Sequence, residues 1–237
     1  MRWIWPLVFF AVAACADDAD RITPLLAAEA GPVDGGGDGP LTEDAGGSSP
    51  LVTGTFTISG SKGNPLAAVP LRWGSATSRT DHQGRAQLPV RADSPFSLTL
   101  TPTDGPVHWV EGVAPGDAFS HGVIVLSDAR LAALFAAVGT RPLDGGGVLI
   151  VEAPAGATVL ADDGEGVVTG PDGPAQGDVV PSEGPRQVVF LSLPAGDTTV
   201  VVSSADHRTC FPLPAGAGEL RPRVRPEGVT HIAFRCP

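Results

Sequence analysis

What most limits the fold of this chain is the spacing of its short period-two stretches. Val52–Ile58 (VTGTFTI) alternates polar and apolar residues and is rich in Thr; Phe96–Leu100 (FSLTL) repeats the alternation. A period of two puts every second side chain on one face, the pattern of a half-buried strand. Turn-formers separate such stretches, as in Ser59–Asn64 (SGSKGN) and Thr80–Gly84 (TDHQG). Strands are also predicted over Ala67–Trp73, where Pro70 points to an edge or a bulge, and over Ala86–Val90, Val107–Val110 and Gly122–Leu126. Later ones follow at Val148–Val151, Thr158–Leu160, Gln187–Leu193, Thr198–Ser203 and Val229–Phe234. With Gly 31 and Pro 24 in 237 residues, the chain suits many short strands joined by turns and disfavours a helical domain. The expected class is all-β, with two tandem small Ig-like or prealbumin-like β-sandwiches over 51–126 and 146–237.

One helix breaks the pattern, in a connector over 127–145. Ser127 caps DARLAALFAAV, in which Leu131, Leu134, Phe135 and Val138 fall at i, i+3, i+4 and i+7, and Gly139 stops it. The stripe is expected to pack on one of the sandwiches; with Arg130 the only cation on its polar face, a membrane-surface role is the lesser option. Between Asp162 and Pro185 the sequence is dense in Gly, Pro and acids and reads as a long loop, functional or disordered.

The first fifteen residues set an address. Arg2 precedes the uncharged apolar run Trp3–Ala14, twelve residues long, where a membrane span needs about 20. The run ends in Val12-Ala13-Ala14-Cys15, which resembles the bacterial lipoprotein signal. The resemblance implies a signal peptide over 1–14 and a lipidated, membrane-anchoring Cys15. An ordinary cleaved signal peptide with an incidental Cys15 is the alternative. Residues 15–50 read as an acidic, disordered tether: 16–50 hold eight acids against Arg21, out of a net charge of -11. The Asp34–Asp38 run lacks the ligand pattern of a calcium loop. The remainder is only mildly acidic and has no basic stripe, which argues against a nucleic-acid partner.

The two strand-rich units echo each other. Unit one carries Ala68-Val69-Pro70-Leu71, then Thr80-Asp81-His82-Gln83-Gly84 and Phe96–Leu100. Unit two carries Gly156-Ala157-Thr158-Val159, Thr169-Gly170-Pro171-Asp172-Gly173, and Leu193-Pro194-Ala195-Gly196 leading to Thr198. These motifs are similar to those of the carboxypeptidase regulatory-like (prealbumin-like) β-sandwich domain, despite a missing Gly before Ala68, a stretched turn in unit two and Thr198 where an aromatic is usual. The resemblance implies an accessory, supporting or binding module without activity of its own.

Candidate chemistry is thin. Cys210 and Cys236, an even pair in an exported chain, are expected to form a disulfide; a Cys-His nucleophile with His207 or His231 is the alternative, disfavoured by an oxidising compartment. His82, His108, His121, His207 and His231 are scattered, with no metal-ligand spacing, so no metal and no cofactor beyond the lipid is expected. A hydrolase or metalloenzyme would need two histidines and a carboxylate converging in a cleft. Trp73 and Trp109 are the aromatics that could stack on a sugar, although a core role is the commoner use of a strand Trp. The expected function is therefore a non-catalytic, membrane-anchored envelope lipoprotein acting as a structural or interaction module, its partner an envelope protein. The alternative is a carbohydrate-binding module at the cell surface or in the periplasm, its partner a polysaccharide. Ala16 after Cys15, with acids beginning at Asp17, slightly favours the outer membrane.

Overall fold

A computed structural model of the chain describes residues 49–162, 164–170, 173–206, 208–213 and 221–236. The expected signal peptide, Cys15 and all but the last two residues of the expected tether lie outside the described residues. The first half holds β1 (Leu51–Gly60), β2 (Pro70–Trp73), β3 (Ala76–Arg79), β4 (Arg85–Arg91), β5 (Pro95–Leu100), β6 (His108–Val113) and β7 (Phe119–Val125). Helix α1 (Asp128–Val138) follows. The second half holds β8 (Gly147–Glu152), β9 (Thr158–Ala161), β10 (Gly166–Gly170), β11 (Gly173–Gln176), β12 (Gln187–Leu193), β13 (Gly196–Asp197), β14 (Val200–Ser203), β15 (Phe211–Leu213), β16 (Arg223–Val224) and β17 (Val229–Arg235). Among the described residues the regular elements are thus all strands but one helix.

The halves share a sheet. It runs β11-β10-β12-β8-β17-β6-β5-β2-β3, with β15 also on β17. Strand β17 is parallel to both β6 and β8, pairing Val229 with His108 on one side and with Val148 on the other. Registers across this sheet fix its two faces. Leu71, Leu100, His108, Val229 and Val148 share one row; Leu98, Val110, His231, Ile150 and Val189 share another on the same face. In the first half that face is covered by the three-stranded sheet β4-β1-β7, whose Phe56, Ile58, Leu88 and Val90 meet Leu98, Leu100 and Val110. In the second half α1 covers it: Leu134 is buried among Val148, Ile150, Val167, Val189 and Leu191, with Leu131, Phe135 and Val138 packed alongside. The opposite face of the second half is covered by the pairs β14-β9 and β13-β16, enclosing Leu149, Val151, Phe190, Val202 and Ile232. All three apolar clusters and the disulfide lie in the compact unit Gly47–Pro237, so this unit carries its own core, the property of a segment able to fold by itself.

Local chemistry explains the elements. Alternation in β4 is read out as strict burial of Ala86, Leu88 and Val90. The Ser127 hydroxyl accepts from the Arg130 amide at 3.3 Å, and Gly139 closes α1 in the left-handed conformation, φ 70°. In the Thr80–Gly84 turn the Asp81 Oδ1 accepts from the amides of Gln83 (2.8 Å) and Arg85 (2.9 Å). These bonds, that to Arg85 first, hold the Asp81 carboxyl below its ordinary pKa. Gly84 is required there: φ is 74°, and a Cβ would stand 2.4 Å from the Ile58 carbonyl oxygen.

Two expectations are corrected. Pro70 marks neither an edge nor a bulge: β2 lies between β3 and β5, and the proline is its first residue, where no ladder donor is missed. The expected loop over 162–185 contains the hairpin β10–β11 on the sheet edge, Val167 paired with Gln176 and Gly170 with Gly173. Its glycines suit the close approach of β10 to its neighbours; a Cβ on Gly166 would meet the Gly177 carbonyl at 2.5 Å.

Candidate functional site

Three places bring polar or exposed groups together. The first is the seam where β6 meets β17. His108 and His231, 123 residues apart in sequence, stand with Nδ1 of the former 2.7 Å from Nε2 of the latter, rings stacked at 5.0 Å. His108 Nε2 reaches the Leu126 carbonyl at 3.2 Å. Both rings are buried, His108 completely. Loss of water holds both well below the ordinary histidine pKa, His108 at about 4, and His231 is lowered further by its histidine neighbours. His121 on β7 faces them; burial lowers it to about 4, although part of its surface stays accessible, and its ring meets Phe56 edge-on at 6.4 Å. His121, His231, Gln187 and the exposed Glu152 line a void of about 10 Å³, room for one water at most. Two histidines and a carboxylate do converge, then, but around a filled space. No group of three or more His, Cys, Asp or Glu among the described residues is placed to hold a metal ion. Nothing in the spacing of the histidines signalled this meeting, because it depends on a parallel pairing between the two halves.

The second place is the opposite face of the same sheet. Row partners Arg72, Thr99 and Trp109 point that way, with Thr230 beside them. The Arg225 guanidinium lies 5.8 Å from the Trp109 ring centre, and Gly228 packs so closely that a Cβ would fall 2.0 Å from Cζ3. Glu111, two residues on, is buried; burial raises its carboxyl, partly offset by the Arg223 amide donating to Oε2 at 2.9 Å and by the Arg225 charge. Trp73 is elsewhere. It is two residues from buried Leu71 and packs half-buried against the first-half core, on the other face of the sheet from Trp109. The two tryptophans therefore form no common platform.

The third place is the outer face of β9 and β14. Val159 and Val202 point inward; their neighbours Leu160 and Val201, directly paired, point out and are 53% and 52% exposed. The next row joins Val179, Thr158, Ser203 and Thr209 through bridges on either side. Phe211, two residues beyond Thr209 and 56% exposed, extends the same face towards β17, and Val179 is 48% exposed. Four of the six large exposed apolar side chains among the described residues (Leu51, Leu143, Leu160, Val179, Val201, Phe211) thus share one surface. Periodicity predicted strands here; it gave no reason for both faces to be apolar.

Cys210 is bonded to Cys236, S–S 2.03 Å, tying the strand beside β14 to the end of β17. Neither sulfur is a free thiol, which removes the Cys-His nucleophile. His82 is exposed in its turn, and His207 lies outside the described residues. An open cleft of about 320 Å³ with Lys62, Asn64 and Asp104 on its rim gathers no further titratable groups.

No protein-family model matches the chain, and no curated protein matches it in sequence. Among solved structures it is similar in part to the Bacillus anthracis TIE protein: 12% identity, 78% of this chain against 34% of that one, TM-score 0.27. It is similar too to a streptococcal ancillary pilin (8% identity, 79% against 62%, TM-score 0.25). A third is the major pilin subunit of Bacillus cereus (10% identity, 79% against 70%, TM-score 0.27). The chain spans about a third of the first of these and less than two thirds of the second. Likeness at this level carries no conclusion for this chain.

Proposed function

We propose that the protein is a non-catalytic interaction module of the cell envelope, held to a membrane by a lipid on Cys15 and set off from it by the acidic segment 16–50. The observation that carries the reading is the outer face of β9 and β14, where Leu160, Val201, Phe211 and Val179 leave water-exposed apolar surface side by side. Apolar side chains grouped this way on a folded surface mark contact with another molecule. The test immobilises the unit 47–237 and exposes it to detergent-extracted envelope proteins and a polysaccharide panel. Saturable retention of one protein, lost in a folded Leu160→Lys/Val201→Lys variant, is the expected result. Retention that survives the double substitution would overturn the assignment of this face. The anchor is tested separately, because Cys15→Ser should release the protein from membranes.

A second reading, carbohydrate binding, is supported by one observation. Trp109 is partly exposed on a face that also carries Arg72, Thr99 and Ser97, a combination of ring and hydrogen-bonding groups suited to a sugar. Glycan capture lost in Trp109→Ala, with the protein fraction unretained, would move the function there.

A further inference from the structure

The buried histidine pair has no part in either surface, and its hydrogen bonds fix where its protons are. A carbonyl only accepts, so the bond to Leu126 requires a proton on His108 Nε2. Neutral His108 then offers only a lone pair at Nδ1, so His231 must donate from Nε2 across the 2.7 Å contact. This chain of two bonds is complete with both rings neutral. A further proton on His108 would make Nδ1 a second donor and oblige His231 to shift its own proton to Nδ1, and a proton on either ring would charge a buried imidazole. The groups facing the pair offer little relief. Strand β7 presents His121, another cation in acid; β12 presents the neutral Gln187. Strand β8 presents Glu152 at the rim of the void, its carboxyl raised above the ordinary range by desolvation and so the less ready to supply a countercharge in acid. Glu111, Arg223 and Arg225 are on the far side of the sheet.

The position of the pair matters as much as its chemistry. It sits on the two strands through which the halves share a sheet, and the apolar cluster of the first half has no member in common with those of the second. Parting β6 from β17 breaks this ladder and the contacts of Trp109 with Gly228 and Arg225 and of Glu111 with Arg223, while β6 stays bonded to β5 and β17 to β8. We infer that the His108–His231 pair makes the β6–β17 seam an acid-operated release, which opens when its rings take up protons while both halves stay folded.

The sign follows from the burial. Above about pH 6.5 the rings are neutral whether the seam is open or closed, and pH has no effect. Below that, opened rings bind protons that closed rings refuse, down to the lowered value of about 4 for His108. Each ring then contributes at most one proton to opening, so two rings raise the opening constant by up to about 100-fold per pH unit, less whatever proton Glu152 gives up on exposure. Stability of the seam is complete at neutral pH and is lost as the pH falls.

Native-state amide hydrogen exchange on the unit 47–237 between pH 7 and 4.5, corrected for intrinsic rates, tests this. The reporters are amides of the β6–β17 pairing, such as Val229, which donates to Val107, against amides of the β1–β4 pairing. The expected result is an opening constant for the seam that climbs by up to about 100-fold per pH unit below pH 6 while that of β1–β4 climbs far less. Equal slopes at both places, or a flat seam, would overturn the inference. His108→Gln with His231→Gln keeps donors and acceptors but cannot titrate, and should bring the seam slope down to that of β1–β4; an undiminished slope in the folded variant also overturns it. If the variant does not fold, the two wild-type slopes decide alone. The outcome is independent of which surface face binds a partner.

Discussion

Replacing Thr80 by valine should destabilise the protein far more than its small change in shape suggests. Thr80 is 5% exposed and serves the backbone twice: its hydroxyl donates to the Leu66 carbonyl at 2.6 Å and accepts from the Val69 amide at 2.9 Å. Its own amide and carbonyl complete the junction, bonded to Val69 and Ala68. Valine fills nearly the same volume and leaves one donor and one acceptor without partners. A buried orphan costs about 1–3 kcal/mol. Val69 is fully buried and bears the larger share, whereas Leu66 is half-buried and its carbonyl recovers some water. The added methyl returns about 0.8 kcal/mol. The net loss is about 2–3 kcal/mol, a fall in Tm of about 4–12 °C for a domain of this size. Urea and thermal unfolding of Thr80→Val against Thr80→Ser, followed by circular dichroism, measure it. Serine keeps both bonds and drops one methyl, for about 1 kcal/mol. If Thr80→Val is no less stable than Thr80→Ser, the hydroxyl is not what holds the turn and the reasoning fails.

Other outcomes follow from the same geometry. Gly84→Ala should cost more than about 2 kcal/mol, because a left-handed alanine and a Cβ 2.4 Å from the Ile58 oxygen both oppose the native turn; equilibrium unfolding should show it, and a neutral variant would mean the β1 backbone can yield. Cys210→Ser with Cys236→Ser opens a loop of sequence separation 26 and should lower unfolding free energy by about 3.5 kcal/mol on the loop-entropy model, checked by denaturant titration with and without reductant; reductant should leave the variant unchanged. Leu134→Ala removes the one fully buried side chain of α1 and should cost about 2–5 kcal/mol, read by the same titration.

What could be read from the sequence was whatever is decided locally. The alternation of β1, β4 and β5, the Ser127 and Gly139 caps and the apolar stripe of α1 depend on residues within a turn or two of each other. Strands β3, β13, β15 and β16 escape the sequence reading because two to four residues are too few to show a period. Hairpin β10–β11 reads as a loop in the sequence because its glycines and Pro174 argue against a strand, and an edge position tolerates both. The histidine seam was invisible for a different reason. His108 and His231 meet only because β17 enters between β6 and β8, a pairing no local pattern encodes. The disulfide needed only parity and compartment; the outer apolar face needed knowledge of which side of β9 points inward.

The placement of β17 also governs the order in which the chain can be completed. Of the strands described, the latest in the chain is the central one of its sheet, flanked on both sides by parallel partners made long before it. Until Val229–Arg235 exist, β6 and β8 are two open sheet edges on separate pieces, and each is a template for pairing with some other chain. Closure must then span 123 residues at the histidine pair, the kind of distant contact that slows folding. Losing β17 would therefore remove a keystone: a chain cut before Val229 should aggregate where a chain that lacks only residues 1–46 does not.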